Sequence, residues 1–172
     1  MRAVAAAVTI ALLAACTREA ASPSLAERAA RDDVVAVESG DAAMRDAIAR
    51  ARGSLDGFLR LAADPAAHLA GFSVKVGFAQ GGRTEYFWLD DITVDGDAVS
   101  GVIANTPRWV TSVRSGERVR VQRDAIVDWL YVDTRSGRMH GNRTACALLA
   151  REPPAEAAAY RRQIGLQCEP ST

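Results

Sequence analysis

Hydrophobic residues recur every three or four positions in the segment that begins at Asp41. Asp41 is a typical helix N-cap, and the stripe that follows it would bury one face of a helix against another layer. The sequence Asp64-Pro65 ends the pattern. Gly53 interrupts it at a cost of about 1 kcal/mol, so a second short helix capped by Ser54 is the alternative. The apolar positions of the stripe are Met44, Ile48, Ala51, Leu55, Phe58 and Ala62.

From Phe72 onward the hydrophobic period changes to two, which is typical of β-strands. Tight turns with positive φ are predicted at Gly81-Gly82, Asp95-Gly96 and Ser115-Gly116. Such turns favour antiparallel pairing of consecutive strands, which is a meander. The predicted strands span about 72–79, 84–94, 98–105, 117–122 and 125–133.

Two further helices are predicted near the carboxyl end of the chain. One begins at Asn142 or Thr144 and runs through Leu149, and the other spans about 155–164 after Pro153-Pro154. A short β-prone run at 34–37 precedes the first helix. The predicted fold class is therefore α+β, with a twisted antiparallel meander sheet of about five to six strands, able to curl toward a small barrel, and helices packed on one side.

The amino terminus has the pattern of an export signal. A single charge, Arg2, precedes an uncharged segment that is too short to span a bilayer but has the length of a signal-peptide apolar region. The segment ends in Leu13-Ala14-Ala15-Cys16, which resembles the bacterial lipobox, whose cysteine receives the lipid. We therefore predict a lipoprotein signal peptide at 1–15, a lipidated cysteine and flexible tether at 16–32, and a single domain at 33–172.

The lipobox also predicts a location. Thr17 follows Cys16 where an aspartate usually retains a lipoprotein on the inner membrane. The expected site is the cell envelope, at the outer membrane facing the periplasm, with the membrane bound through the lipid on Cys16. An ordinary signal cut nearby and an uncleaved anchor are the alternatives.

Two cysteines remain when Cys16 carries lipid. Cys146 and Cys168 form an even pair in a compartment that permits disulfides. We predict that they are bridged, which would stabilise the domain by about 3 kcal/mol by restricting the unfolded chain. Two separate free thiols are the alternative.

Composition and charge exclude several classes of protein. With 49% hydrophobic and 24% charged residues, the chain is expected to fold on its own. The 21 basic residues balance 21 acidic ones, so we expect no binding to nucleic acid. Neither of the two histidines, His68 and His140, lies within four residues of a cysteine or of the other, and the chain shows no nucleophile elbow or phosphate loop. We expect neither a metal nor a cofactor.

Asp128 is the clearest local signal of a polar site. Alternation along its strand places it on the face of Ile126 and Leu130, where an unpaired carboxylate would be costly to bury. It therefore needs an ion-pair partner or the backbone N–H groups of a neighbouring turn, or else it lies at the mouth of a ligand groove.

Other candidate binding residues lie at strand ends and on strands. Asn105 and Trp109 belong to an Asn-Thr-Pro-Arg-Trp segment that could display the indole. Trp129 lies on a strand, where an aromatic side chain is more often part of the core. His140 and Asn142 flank Gly141 at the end of a strand, and a hydrogen-bonded structural role is the alternative for His140.

The motifs between Val34 and Leu149 together resemble an uncharacterised bacterial family, domain of unknown function 2314. The resemblance implies a compact single-domain bacterial protein, with exported lipoproteins among its members, and it implies no catalytic residues. The matching motifs are Ala47 to Arg52 in the helix led by Met44, Phe72 to Phe78, Glu85 to Leu89, Gly101 with Asn105-Thr106-Pro107, Gly116 to Val119, Ile126 to Tyr131, and Gly141-Asn142 with Thr144.

Three functions remain open at this point. The leading hypothesis is a non-enzymatic envelope module that binds a protein or a small ligand. The second is a hydrolase acting near the cell wall, which requires Asp128 and His140 to converge within about 3 Å, or through one water, as an acid/base pair. The third is an immunity-like or scaffold protein.

Overall fold

The computed structural model describes residues 41–168, so the predicted signal peptide, Cys16 and the β-prone run at 34–37 lie outside the described residues. A short 3₁₀ helix, Arg123–Ala125, separates β4 from β5. In chain order the other elements are α1 (Ala42–Gly53), α2 (Leu55–Ala63), β1 (Leu69–Gln80), β2 (Arg83–Asp95), β3 (Ala98–Ile103), β4 (Arg118–Gln122), β5 (Ile126–Asp133), β6 (Arg138–Gly141), α3 (Arg143–Leu149) and α4 (Pro154–Ile164).

The first predicted helix is two helices. The side chain of Asp41 accepts a hydrogen bond from the backbone N–H of Met44 at 2.7 Å, which confirms the predicted N-cap. The interruption falls at Gly53 and Ser54, as the alternative prediction had it. However, the Ser54 hydroxyl donates backward to the carbonyl oxygens of Arg50 and Ala51, at 2.9 and 3.1 Å. It therefore closes α1 and does not cap α2.

The six strands within residues 41–168 form one antiparallel sheet in the order β4-β3-β2-β1-β5-β6, which confirms the α+β class. Strands β1 to β4 follow the predicted meander, and Gly81 and Gly82 supply the positive φ of the first hairpin turn. The meander stops at β4, because β5 pairs with β1 on the other side of the sheet.

The link between β4 and β5 shows that the sheet is curled. In a flat sheet β4 and β5 would be four strand spacings apart, about 19 Å. The stretch from Gln122 to Ile126 reaches at most about 14 Å when fully extended, and part of it is a compact 3₁₀ helix. The two strands must therefore approach each other at this end, although they are not paired and the sheet is not closed into a barrel.

One face of the sheet, here called the core face, carries the main hydrophobic core. Helices α1 and α2 contribute to this core, with Phe58 of α2 stacked on Trp129 of β5 at a centroid distance of 4.9 Å. The opposite face, here called the outer face, carries Lys75, Trp88 and Asp128, which are register partners on β1, β2 and β5. The fully buried strand residues of the core face include Val74, Val76, Phe87, Leu89 and Ile126.

A bulge in β5 corrects one detail of the predicted strand pattern. Between Asp128 and Ile126 the pairing with β1 advances two residues on β5 but only one on β1, from Lys75 to Val76. Ile126 therefore points into the core while Asp128 points to the outer face. The expectation that both side chains share one face is wrong, because simple alternation does not hold across a bulge.

The carboxyl end forms a second, smaller cluster of buried residues. Leu149 of α3, Ala157 of α4 and Leu166 are buried together, with Met139 of β6 packed against them. The predicted disulfide between Cys146 and Cys168 is present, with an S–S distance of 2.06 Å. It joins α3 to the segment that follows α4.

Candidate functional site

Trp109 is the most exposed large aromatic side chain among residues 41–168, with 43% of its surface accessible. It lies in the long connection between β3 and β4. We call residues 107–113 of this connection the Trp109 loop. Val110 and Val113 of the loop are buried in the main core. The loop is thus fixed to the domain at two positions that follow Trp109 in the chain.

Glu85 of β2 holds the Trp109 loop from beneath. The side chain is completely buried, and its carboxylate accepts three backbone N–H groups: Arg108 at 2.9 Å, Trp109 at 3.1 Å and Val110 at 3.0 Å. Burial alone would raise the pKa of Glu85, but the three N–H donors and the nearby Arg108 guanidinium outweigh it and lower the pKa. The carboxylate therefore stays charged and binds the loop backbone.

A second anchor ties the loop to the β1–β2 hairpin. Gln80, the last residue of β1, accepts the N–H of Thr111 with its amide oxygen and donates to the Thr111 hydroxyl with its amide nitrogen, both at 2.9 Å. Arg83, across the hairpin turn, places its guanidinium 6.0 Å from the centre of the Trp109 ring. Trp109 and Arg83 thus form a mixed aromatic and cationic surface on an ordered frame.

Asp128 is completely buried, and the structure meets its requirement for partners with the backbone of a neighbouring turn. It accepts the N–H groups of Trp129, Arg143 and Thr144 at 2.9, 3.2 and 2.8 Å, and the Thr144 hydroxyl at 2.7 Å. Two of these residues form the first turn of α3, so Asp128 caps that helix from another strand. The sequence also allowed Asp128 to lie at the mouth of a ligand groove, but its side chain is not exposed to solvent.

Lys75 lies beside Asp128 on the outer face and was not a sequence candidate. Its ammonium donates to the Thr144 hydroxyl at 2.9 Å and lies 5.1 Å from the centre of the Trp88 ring. Burial lowers the pKa of Lys75, and the Asp128 charge opposes that effect in part. The sequence does contain a signal for this residue, because Lys75 interrupts an apolar strand between Val74 and Val76.

Trp129 and His140 are structural in this arrangement. Trp129 is buried, and its indole N–H donates to the Ala51 carbonyl at 2.9 Å. His140 stacks on Tyr131 with a centroid distance of 4.8 Å, and the two are register partners on β6 and β5. Because Tyr131 packs against the main core, His140 lies on the core-face side, opposite to Asp128. The structure does not bring Asp128 and His140 together as an acid/base pair.

Asn105 and Asn142 stabilise backbone rather than forming an open site. The side-chain oxygen of Asn105 accepts the N–H of Trp88 at 2.9 Å. Asn142 is buried and adopts a left-handed conformation with φ 50°, which turns the chain from β6 into α3. Of the six predicted binding residues, Trp109 is therefore the one displayed to solvent.

Two shallow cavities lie away from the Trp109 loop. One, of about 440 Å³, lies between the end of α1 and the β4–β5 link and is lined by Arg52, Asp97 and Arg123. The other, of about 370 Å³, is lined by Phe72, Ser73 and Asp90. Residues 41–168 contain no group of three His, Cys, Asp or Glu side chains placed to hold a metal ion.

None of the helices within residues 41–168 has the length and apolar character needed to cross a bilayer.

The fold and the site define a class: a curled antiparallel sheet with α1 and α2 on its core face, and an aromatic loop fixed by a buried carboxylate. The chain belongs to the family described as "Uncharacterized protein conserved in bacteria (DUF2314)", whose model matches residues 41–168. This confirms the resemblance found in the sequence.

The chain is also similar to two relatives. It is 37% identical over 122 residues to Uncharacterized protein YegJ of Escherichia coli (strain K12), covering 71% of this chain and 77% of the relative. It is 44% identical over 63 residues to Putative ankyrin repeat protein NMB1133/NMB1171 of Neisseria meningitidis serogroup B (strain ATCC BAA-335 / MC58), covering 34% of this chain and 25% of the relative. No solved structure matches the chain.

Proposed function

We propose that this chain is a non-enzymatic binding module of the cell envelope that contacts its partner through the Trp109 loop. The observation that carries the proposal is the contrast between the exposed side chain of Trp109 and the buried side chain that holds its backbone. Trp109 is 43% exposed, whereas the Glu85 carboxylate that holds its backbone is completely buried. A buried carboxylate is costly unless it is fully hydrogen-bonded, so the position of the loop is strongly determined.

A fixed loop with an exposed indole suits recognition of a partner. Binding is weakened by the entropy lost when a mobile loop becomes ordered, and a loop that is ordered beforehand avoids this loss. Tryptophan and arginine are also the residue types that most often dominate binding energy at interfaces. Trp109 and Arg83 supply both on one surface.

The proposal includes an anchor at the outer membrane through lipid on Cys16. It is supported by the lipobox sequence Leu13-Ala14-Ala15-Cys16. The test is metabolic labelling of cells with a clickable fatty acid, comparing the natural chain with Cys16→Ser. We expect label on the natural chain alone, and label retained by Cys16→Ser would overturn the anchor.

The binding role is tested by recovering the lipidated protein from its own membrane with its partners. Trp109→Ala is compared with the natural chain and with Leu61→Ala, a matched control because Leu61 of α2 is 39% exposed but distant in sequence from the loop. We expect Trp109→Ala to lose a partner that the other two proteins retain. Equal recovery of every partner by all three would contradict the proposal.

A scaffold role, the third hypothesis from the sequence, is also favoured by one relative. The relative from Neisseria meningitidis is named a putative ankyrin repeat protein, and this chain matches only a quarter of its length. Ankyrin repeats form extended binding surfaces. A segment similar to part of this domain, within a relative of that name, supports a role in interaction rather than in catalysis.

A further inference from the structure

Lys75 is the only lysine in the sequence. It lies in the middle of β1, half-buried, between Asp128 of β5 and Trp88 of β2 in the register of the sheet. The other residues among the 21 lysines and arginines of the chain are arginines. The chain therefore has an amine, rather than a guanidinium, at a cationic position that is packed into the sheet.

The amine of Lys75 has three neighbours of different chemistry. Its nitrogen lies 2.9 Å from the Thr144 hydroxyl, and that hydroxyl in turn donates to Asp128 at 2.7 Å. The indole of Trp88 lies on another side, with its centre 5.1 Å from the nitrogen. A hydroxyl that links an amine to a carboxylate can carry a proton between them, and the indole offers an apolar wall.

A lysine and an arginine are not equivalent at such a position. A guanidinium stays protonated at any pH that the fold tolerates, whereas an amine removed from water releases its proton more readily. Burial is the larger influence on Lys75 and lowers its pKa. A greater share of the amine is therefore unprotonated near neutral pH than for a lysine in water, and the unprotonated amine is the nucleophile.

We infer that Lys75 forms a reactive-amine site on the outer face, which takes small uncharged aldehydes or ketones as reversible imines. The amine lone pair attacks the carbonyl carbon, and a carbon–nitrogen bond forms. The carbonyl oxygen acquires two protons, one net from the nitrogen and one from solvent, and leaves as water. The product is a protonated imine, so no oxidant or reductant is needed.

The surroundings of Lys75 select the class of carbonyl compound. A ligand with its own carboxylate would be repelled by the Asp128 charge, which lies one hydroxyl away from the amine. An apolar or aromatic body can pack against Trp88 instead. The site lies on the outer face, whereas the Trp109 loop is held by Glu85 on the core-face side of β2, so this inference does not depend on the proposed binding loop.

The test is reductive trapping of the full chain with butyraldehyde and cyanoborohydride near neutral pH, followed by peptide mapping. Mapping separates Lys75 from the amino terminus, and no other lysine complicates the result. The reference is the double variant Lys75→Arg/Arg114→Lys, which moves the single lysine to an exposed loop position. A lowered pKa leaves more of the amine unprotonated at a given pH, so we expect Lys75 to be trapped several-fold faster than the lysine of the reference.

Two further comparisons show whether fast trapping depends on the folded surroundings of Lys75. The natural chain unfolded in urea should lose the advantage, because its lysine is then fully hydrated. Thr144→Ser keeps the hydroxyl and should retain fast trapping, whereas Thr144→Val, checked for folding by circular dichroism, should slow it several-fold. The inference is overturned if folded Lys75 is trapped no faster than the reference lysine, or if unfolding leaves its rate unchanged.

Discussion

Among residues 41–168, two carboxylates are completely buried, and they hold different kinds of structure. Glu85 points toward the core-face side and binds three backbone N–H groups of the Trp109 loop. Asp128 points to the outer face and binds the first turn of α3 together with the Thr144 hydroxyl. Both replace water with backbone donors, which is the usual solution for a buried charge.

The difference lies in what each carboxylate positions. Of the residues bound by Asp128, Trp129 and Thr144 are buried, with 7% and 4% of their surface exposed. The loop bound by Glu85 instead presents Trp109 to solvent, with 43% of its surface accessible. A buried charge therefore serves the interior packing in one case and an exposed surface in the other. This contrast separates the structural region of the domain from the candidate binding region.

Removal of Asp128 should have the largest effect on stability. Asp128→Ala leaves two amides and a hydroxyl of the α3 turn without an acceptor and leaves Lys75 without its counter-charge. We expect the free energy of unfolding to fall by about 3–5 kcal/mol, measured by urea denaturation. Asp97→Ala, at an exposed turn, is the control and should change it by less than about 0.5 kcal/mol. A loss below about 1 kcal/mol for Asp128→Ala would mean that the carboxylate does not fix α3.

Removal of the disulfide should have the second largest effect on stability. The disulfide holds α3, the helix that Asp128 caps. Cys146→Ala/Cys168→Ala frees the segment after α4 from α3 and restores entropy to the unfolded chain. We expect a loss of about 3 kcal/mol in the free energy of unfolding. The fluorescence of Trp109 should not change, since the side chains that anchor the Trp109 loop, Glu85 and Gln80, lie on β2 and β1. A change in the environment of Trp109 would show that the two regions are coupled.

Glu85→Gln should have an intermediate effect on stability and also change its pH dependence. The variant keeps the size of the side chain but replaces one carboxylate oxygen by an amide nitrogen, which cannot accept the loop amides. We expect a loss of about 1–3 kcal/mol near neutral pH.

The pH dependence follows from the direction of the Glu85 shift. Because its folded pKa lies below the ordinary value, about 4.3 for glutamate, the carboxylate stabilises the fold above that pH. This stabilisation is lost as the pH falls through the lowered folded pKa. The natural chain should therefore lose more stability in acid than Glu85→Gln, by urea denaturation at a series of pH values. Parallel profiles for the two proteins would contradict the assignment.

Trp109→Ala should have the smallest effect on stability, although it is expected to have the largest effect on binding. The exposed indole contributes little to the core, so the free energy of unfolding should change by less than about 0.5 kcal/mol in thermal or urea denaturation. A loss of 2 kcal/mol or more would make Trp109 a packing residue and would remove the contrast between the two carboxylates.

Local features of the fold were predictable from the sequence because they depend on neighbouring residues. The N-cap at Asp41 and the turn at Gly81-Gly82 follow from side-chain hydrogen bonding and from positive φ. The Cys146–Cys168 bridge followed from the even number of remaining cysteines. The pairing of β5 with β1 did not follow, because alternation along a strand does not specify its partner in space.

The site was predictable only in part for the same reason. Trp109 could be located by the turn residues before it, but its anchor lies 24 positions away on β2. Glu85 alternates in phase with Phe87 and Leu89, which was a signal that its carboxylate faces the core. That signal shows burial but not the identity of the donors, which depends on how the β3–β4 connection folds back over the sheet.

Amide hydrogen exchange of Arg108, Trp109 and Val110 tests the central claim most directly, because their N–H groups are the ones that Glu85 accepts. The account predicts that these amides in the natural chain are protected to a degree that approaches the strand amides of β2, although they lie in a loop. It also predicts that Glu85→Gln removes this protection while β2 stays protected. Exchange in the natural chain at the rate of an unstructured loop would contradict the account.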